Sequence, residues 1–365
     1  MTIRRAAALA VGTAVLALGS AACSLPRDES PFDPPPPASG TPGADAPRES
    51  GTVARNLAVP WGMAKLPDGA VLVTSRDTAA INLVSPDDRS ATAGSVAGVR
   101  PEGEGGLLGI TTDRSGSRVF VYYTAEEDNR VAALTWDGTR LSDQRVILTG
   151  IPKNVFHDGG RIAIGPDGLL YVATGDAGQP ELAQDPTSLA GKILRITTRG
   201  EPAADNPDPT SAVYSSGHRN VQGLAWDREG RLWASEFGES DVDELNLIVA
   251  GGNYGWPQCE GPCGEPGVID PKATWSPTAT ASPSGMAIVR DSAWIASLRG
   301  QVLYQVPLDG EEAGEPVAWF GKQYGRLRDV LAYDSDTLWV ATGNTDGRGE
   351  PGPLDDRILS VALPG

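Results

Sequence analysis

The stretch "GRIAIGPDGLLYVATGD" (160–176) decides the fold of this chain. An apolar run alternates into a Pro-Asp-Gly turn, and a second apolar run of large and β-branched residues follows. Asp-Gly between two such runs is a strong hairpin signal, because the glycine supplies the backbone conformation that the turn demands. The same pattern returns five more times: "WGMAKLPDGAVLVTSRD" (61–77), "LGITTDRSGSRVFVYYTA" (108–125), "QGLAWDREGRLWASEFG" (222–238), "SGMAIVRDSAWIASLRG" (284–300) and "DVLAYDSDTLWVATGN" (329–344). The turns fall near residues 68, 115, 167, 229, 291 and 335. A spacing of roughly 45–60 residues holds one hairpin and two outer strands, which is one propeller blade. Six copies predict an all-β fold, a six-bladed β-propeller over residues 52–365. A β-sandwich is the alternative, but it does not account for six copies.

Composition agrees with that texture. The 365 residues include 45 glycines and 30 prolines, and tryptophan (9) outnumbers phenylalanine (5), while long helical periodicity is missing. The net charge of −17 argues against a nucleic-acid partner. A basic tip and a short apolar run ending in "GSAAC" mark residues 1–22 as an export signal. Cys23 then stands at a lipoprotein-type cleavage box, with Ser20 where such boxes usually carry leucine, so simple secretion stays open. Residues 23–51, with "PFDPPPPASGTPG", read as a Pro-rich tether. If Cys23 takes lipid, Cys259 and Cys263 in "QCEGPCG" are left to pair, and export permits the bridge. Two free thiols are the alternative.

The repeat also aligns the polar residues. Five positions beyond the large residue of each second strand stand Asp77, Ala125, Asp176, Gly238, Arg299 and Asn344. Just before the first strands stand Glu104, His157, Arg219 with Asn220, and Arg326 with Arg328. Both sets belong to the same end of the blades and so to one rim of the channel. Guanidinium groups there suit a small polyanion, because they pair with carboxylates through two hydrogen bonds. His157 is one of only two histidines and suits proton abstraction near neutral pH. No dinucleotide fingerprint occurs in a strand–helix context, which argues against a nicotinamide enzyme. No multi-Cys or His-rich set suits a transition metal, whereas the carboxylate- and carbonyl-rich "SEFGESDVDELN" (235–246) suits calcium.

"GEGGLLGI", "HDGGRIAIGPDGLLYVATGDAG", "QDPTSLAGKILRI", "SSGHRNVQGLAW", "SEFGESDVDELNLIVAGGNYGWP", "SLRG" and "GRLRDVLAY" occur in that order between Val59 and Val361. With these motifs the chain resembles the soluble quinoprotein sugar dehydrogenases, the glucose/sorbosone dehydrogenase family that uses pyrroloquinoline quinone (PQQ). The resemblance implies a six-bladed propeller. It also implies His157 as the base that takes the sugar's anomeric hydroxyl proton, with Asp176 orienting it at the substrate. Arg219 and Asn220 match the pair that contacts the quinone, Arg219 polarising the reacting carbonyl. Arg299 stands where a cofactor-binding lysine is common, and Arg326 and Arg328 match the arginines that hold the cofactor's carboxylates. Glu104 stands where a glutamine assists at the substrate. A catalytic calcium is expected on the carbonyls of Gly238 and Glu239, the latter in place of the family's proline. Glu244 and Tyr254 match positions used for a structural calcium. Phe156 replaces a polar residue of some relatives, and His218 reads as structural.

The implied activity is oxidation of an aldose to its lactone, with electrons passing on to an unnamed acceptor and membrane contact only through a lipid on Cys23. Two rivals are a binding lipoprotein whose cofactor site has degenerated and a calcium-dependent propeller lactonase. The lactonase would need carboxylate and Asn ligands around the axis rather than arginines.

Overall fold

The computed structural model describes residues 46–87 and 89–364. The export signal, Cys23 and the tether up to residue 45 lie outside the described residues.

The "GRIAIGPDGLLYVATGD" hairpin forms as read. Ile162–Ile164 pairs antiparallel with Leu170–Ala173, Ile162 facing Val172 and Ile164 facing Leu170. The Gly165 N–H donates to Leu169 O at 2.9 Å, and Gly168 closes the turn at φ +78°. A side chain there would be strained, which is why the repeat keeps a glycine at this point. The fifth and sixth repeats lack that glycine, and the fifth shows one replacement for it. Its turn uses Arg290 and Asp291, both at positive φ, between Pro283–Val289 and Ser292–Ser297. This is the backbone of a two-residue hairpin loop.

Each hairpin carries outer strands, giving six antiparallel sheets of four or five strands, and there is no α-helix among the described residues. The first two blades run from Pro60–Lys65 to Ser90–Ser95 and from Leu107–Thr112 to Leu141–Ile151. The next two run from Ile162–Ile164 to Val213–Ser216 and from Val221–Trp226 to Ala273–Trp275. The fifth runs from Pro283–Val289 to Val317–Trp319. The sixth uses Leu327–Ala332, Thr337–Thr342 and Ile358–Ala362, and its outer strand is Arg48–Ala54 from the other end of the sequence. Innermost strands touch in sequence around the ring, and the sixth touches the first. The propeller is closed.

The expected tether therefore ends earlier than residue 51, since Arg48–Ala54 is already strand. Its first four residues are exposed and polar, so no apolar alternation announces them. Between blades, Trp61, Trp233 and Trp294 are buried with aliphatic residues of neighbouring sheets. That packing makes a stiff frame whose loops at one rim carry the polar residues.

Candidate active site

His157 sits in the connection between the second and third blades, and its backbone is held from three sides. Its N–H donates to Glu104 Oε2 at 3.1 Å, and its carbonyl accepts from Ala177 N–H at 3.2 Å. The residue itself adopts φ +61°. Such a conformation costs a non-glycine residue of order 1–3 kcal/mol and persists only where the surroundings enforce it. Gly175 is part of that enforcement, because a Cβ at this position would lie 1.9 Å from His157 O. Only glycine lets the two chains approach so closely.

The ring is fixed as firmly. Nδ1 lies 2.8 Å from Asp176 Oδ1. Asp176 is fully buried and also accepts from Gly178 N–H at 2.8 Å and from Trp256 Nε1–H at 2.9 Å. An acceptor-only carboxylate places the imidazole proton on Nδ1, which leaves Nε2 with its lone pair. Phe156 packs edge-on against the ring with centroids 4.7 Å apart. His157 lines a cavity of about 640 Å³ at the channel mouth, together with Glu104, Arg219, Gly238, Arg299 and Arg326.

Burial opposes ionisation of Glu104, yet Arg348 Nη1 at 2.7 Å from Oε1 and the His157 N–H hold its carboxyl below the ordinary range. Arg219 Nη1 donates to Phe237 O at 3.3 Å, its guanidinium lies 5.4 Å from the Trp256 ring, and its N–H meets Glu236 Oε1. Asn220 Oδ1 accepts from Gly159 N–H at 3.0 Å. Arg326 donates through Nε and Nη2 to Asp346 Oδ2, at 3.0 and 2.8 Å. Arg328 lies in an adjoining hollow with Asp346, and donates to Gln222 Oε1 at 3.0 Å. Burial pulls Arg328 down to about 10 against the pull of Asp346, and the neighbouring Arg326 adds to the lowering. Three buried donors here, Arg219 Nε, Asn220 Nδ2 and Arg328 Nε, have no partner among the described residues. Buried donors without acceptors are costly. The donor set fits an anionic, oxygen-rich ligand.

On the opposite wall, Asp243 accepts from Gly238 N–H at 2.9 Å and Ser282 N–H at 2.7 Å, and burial raises its carboxyl to about 7. Gly238 and Glu239 line the cavity, and no donor among the described residues reaches their carbonyl oxygens. Two free backbone carbonyls fit a hard cation.

The sequence profile described as glucose/sorbosone dehydrogenase matches residues 57–354. The chain belongs to that family. Its membership makes it a sugar dehydrogenase by family, an oxidoreductase on a six-bladed propeller. The PQQ-bound aldose sugar dehydrogenase of Streptomyces coelicolor is 49% identical, with a TM-score of 0.85 over 90% of this chain and 100% of that one. Aldose sugar dehydrogenase YliI of Escherichia coli is 28% identical over 79% of this chain and 88% of its own length. Quinoprotein glucose dehydrogenase B of Acinetobacter calcoaceticus is 31% identical over 56% of this chain and 52% of its own length.

The family's propeller brings together most of the residues singled out in the sequence. Asp176 stands behind His157, Asn220 is buried beside it, and Arg299 is exposed on the rim. Glu244 and Tyr254 are placed differently. Glu244 accepts from Gly261 N–H at 2.7 Å and Asn246 Nδ2 at 2.9 Å, and burial with Glu236 nearby raises it to about 8. Tyr254 donates to Leu247 O at 2.7 Å and stacks on His218, whose Nδ1 is 2.8 Å from Glu236 Oε2. Among the described residues, no group of three or more His, Cys, Asp or Glu side chains is arranged around a metal position. His218 is fully buried in a structural pair, as expected. Cys259 and Cys263 are bridged.

Four contributors were missed: Trp256, Arg348, Asp346 and Asp243. Asp346 and Arg348 follow the aligned position Asn344 by two and four residues, so extending the register past the strand end would have found them. Trp256 reaches Asp176 across 80 residues of sequence, and no spacing signals that.

Proposed function

We propose that this chain oxidises aldose sugars to lactones, using pyrroloquinoline quinone and calcium. One observation carries the reading: the His157–Asp176 couple turns its lone pair to a cavity that Arg219 also lines, and buried donors on Arg219, Asn220 and Arg328 have no partner among the described residues. Arg219, Asn220, Arg299, Arg326 and Arg328 would hold the cofactor's carboxylates and carbonyls, and the carbonyls of Gly238 and Glu239 would hold calcium. The quinone, when bound, supplies the hydride acceptor. The chain supplies the proton chemistry. Nε2 of His157 takes the anomeric hydroxyl proton as the hydrogen on that carbon leaves with its electron pair. Asp176 stabilises the resulting imidazolium, and Glu104 both steadies the His157 backbone and offers an acceptor to a sugar hydroxyl. General-base help of this kind contributes about 10²–10⁴ in rate.

The leader supports export, with Cys23 lipid-modified and an acceptor outside the cell taking the electrons. The test is addition of pyrroloquinoline quinone and calcium to purified protein, followed by dye reduction with a panel of aldoses. Cofactor binding without sugar-dependent reduction would make the chain a binding protein, and hydrolysis of lactones would make it a lactonase. Intact mass of membrane-extracted protein reads the lipid on Cys23.

A further inference from the structure

The loop 238–242, "GESDV", joins Leu232–Glu236 to Asp243–Ile248 and is largely exposed. Its order rests on one atom. The N–H groups of Glu239, Ser240, Asp241 and Val242 all donate to Glu260 Oε1, at 2.7, 2.9, 2.9 and 3.1 Å. Charge-assisted bonds of this kind are about twice as strong as neutral ones. Glu260 belongs to neither strand and does not line the cavity.

A trans peptide is planar, so its N–H and C=O point in opposite directions. The N–H of Glu239 shares a peptide with the carbonyl of Gly238, and the N–H of Ser240 shares one with the carbonyl of Glu239. Aiming those two N–H groups at Glu260 therefore aims those two carbonyls away from it. Both residues line the cavity, and neither carbonyl accepts a hydrogen bond from a donor among the described residues. We infer that Glu260 is the positioning residue that sets the direction of the Gly238 and Glu239 carbonyls for calcium. The inference rests on the calcium reading given above.

Glu260 is itself held. The Cys259–Cys263 disulfide brackets it, Cys259 N–H donates to Gly255 O at 2.9 Å, and Gly261 N–H donates to Glu244 Oε1 at 2.7 Å. Glu244 thus fastens the peptide that carries the lock. Gly238 leaves room for it, since a Cβ there would lie 1.8 Å from Val242 O and 2.6 Å from Glu260 Oε1.

Two measurements on the full chain test this. Amide hydrogen exchange is read first, in protein without metal or cofactor. Glu260→Ala should speed exchange of amides 239–242 by at least about 10-fold, with Leu245 and Leu247 unchanged. Glu260→Gln, which keeps an oxygen acceptor at the same reach, should fall between. Calcium is then titrated into quinone-loaded protein. Glu260→Ala should bind about 10-fold more weakly, Glu260→Gln less so, and quinone binding without calcium should match wild type. Rapid exchange of the four amides in wild type overturns the lock. Calcium affinity unchanged in Glu260→Ala, with wild-type binding intact, overturns its service to the metal. Absence of calcium binding by wild type, with the amides protected, refutes the metal reading on which that service depends.

Discussion

Asp176→Asn is the most discriminating perturbation of the site. The carboxylate accepts three hydrogen bonds while fully buried: His157 Nδ1–H and Gly178 N–H at one oxygen, Trp256 Nε1–H at the other. Asparagine has the same shape but one accepting oxygen. With that oxygen toward His157, its NH₂ group meets the Trp256 N–H. With the oxygen toward Trp256, the NH₂ group meets Gly178 N–H and forces the imidazole to carry its proton on Nε2, where it is no longer a base. Either way a buried donor faces a donor, at a cost of about 1–3 kcal/mol in stability. The charge that steadies the imidazolium is lost in both. We expect kcat/KM for aldose oxidation to fall about 10²–10⁴-fold, the range that general-base help supplies. Quinone affinity should hold, since both Asp176 oxygens are already engaged by His157, Gly178 and Trp256. Dye-reduction kinetics and a cofactor titration on the same preparation decide it. A variant within 10-fold of wild-type kcat/KM (roughly 1.4 kcal/mol) would refute the claim that Asp176 sets the tautomer.

Three other expectations follow from the same geometry. Arg348→Met frees Glu104 to the effect of burial, so its carboxyl rises; the acid limb of the pH–rate profile should move to higher pH, and an unchanged limb would remove Arg348 from the site. Lys192 is fully buried and donates to Leu182 O, Ala183 O and Ala190 O at 2.7, 2.9 and 2.8 Å, so Lys192→Met should cost about 1–3 kcal/mol in denaturant unfolding. Burial raises Asp158 from 3.8 to about 6, so the folded state holds a proton there that the unfolded chain has released. Wild-type stability should therefore fall as pH rises through 4–6, and Asp158→Asn should gain about 2 kcal/mol relative to wild type between pH 4 and pH 8. Parallel pH dependence of the two proteins would show that Asp158 is not the source.

The ring of blades was legible because a propeller repeats one local instruction. Alternation, turn and alternation is a period-2 signal that survives in every blade, and four of the six turns keep a glycine. What escaped was the closure. Arg48–Ala54 pairs with Ile358–Ala362 across the whole length of the domain, and its outer position asks for no apolar face. An edge strand of polar residues looks like the tether that precedes it. Turn chemistry marked the fifth blade less clearly, because Arg290 and Asp291 take a conformation that usually calls for glycine or asparagine.

The site was legible where it follows the register and opaque where it depends on one loop reaching another. His157, Asp176 and the arginines occupy repeating positions, so counting found them. Trp256 and Glu260 act on Asp176 and on the 238–242 loop from an irregular segment with no period at all. Glu239 shows what such a reach changes. Read alone, a glutamate in place of proline gives the loop one more rotatable angle. In the fold its N–H makes the shortest of the four bonds to Glu260. A proline has no N–H to make it. The freedom that the sequence adds at 239 is removed by a carboxylate 21 residues away, so the carbonyls on the cavity wall are set by hydrogen bonding rather than by ring closure.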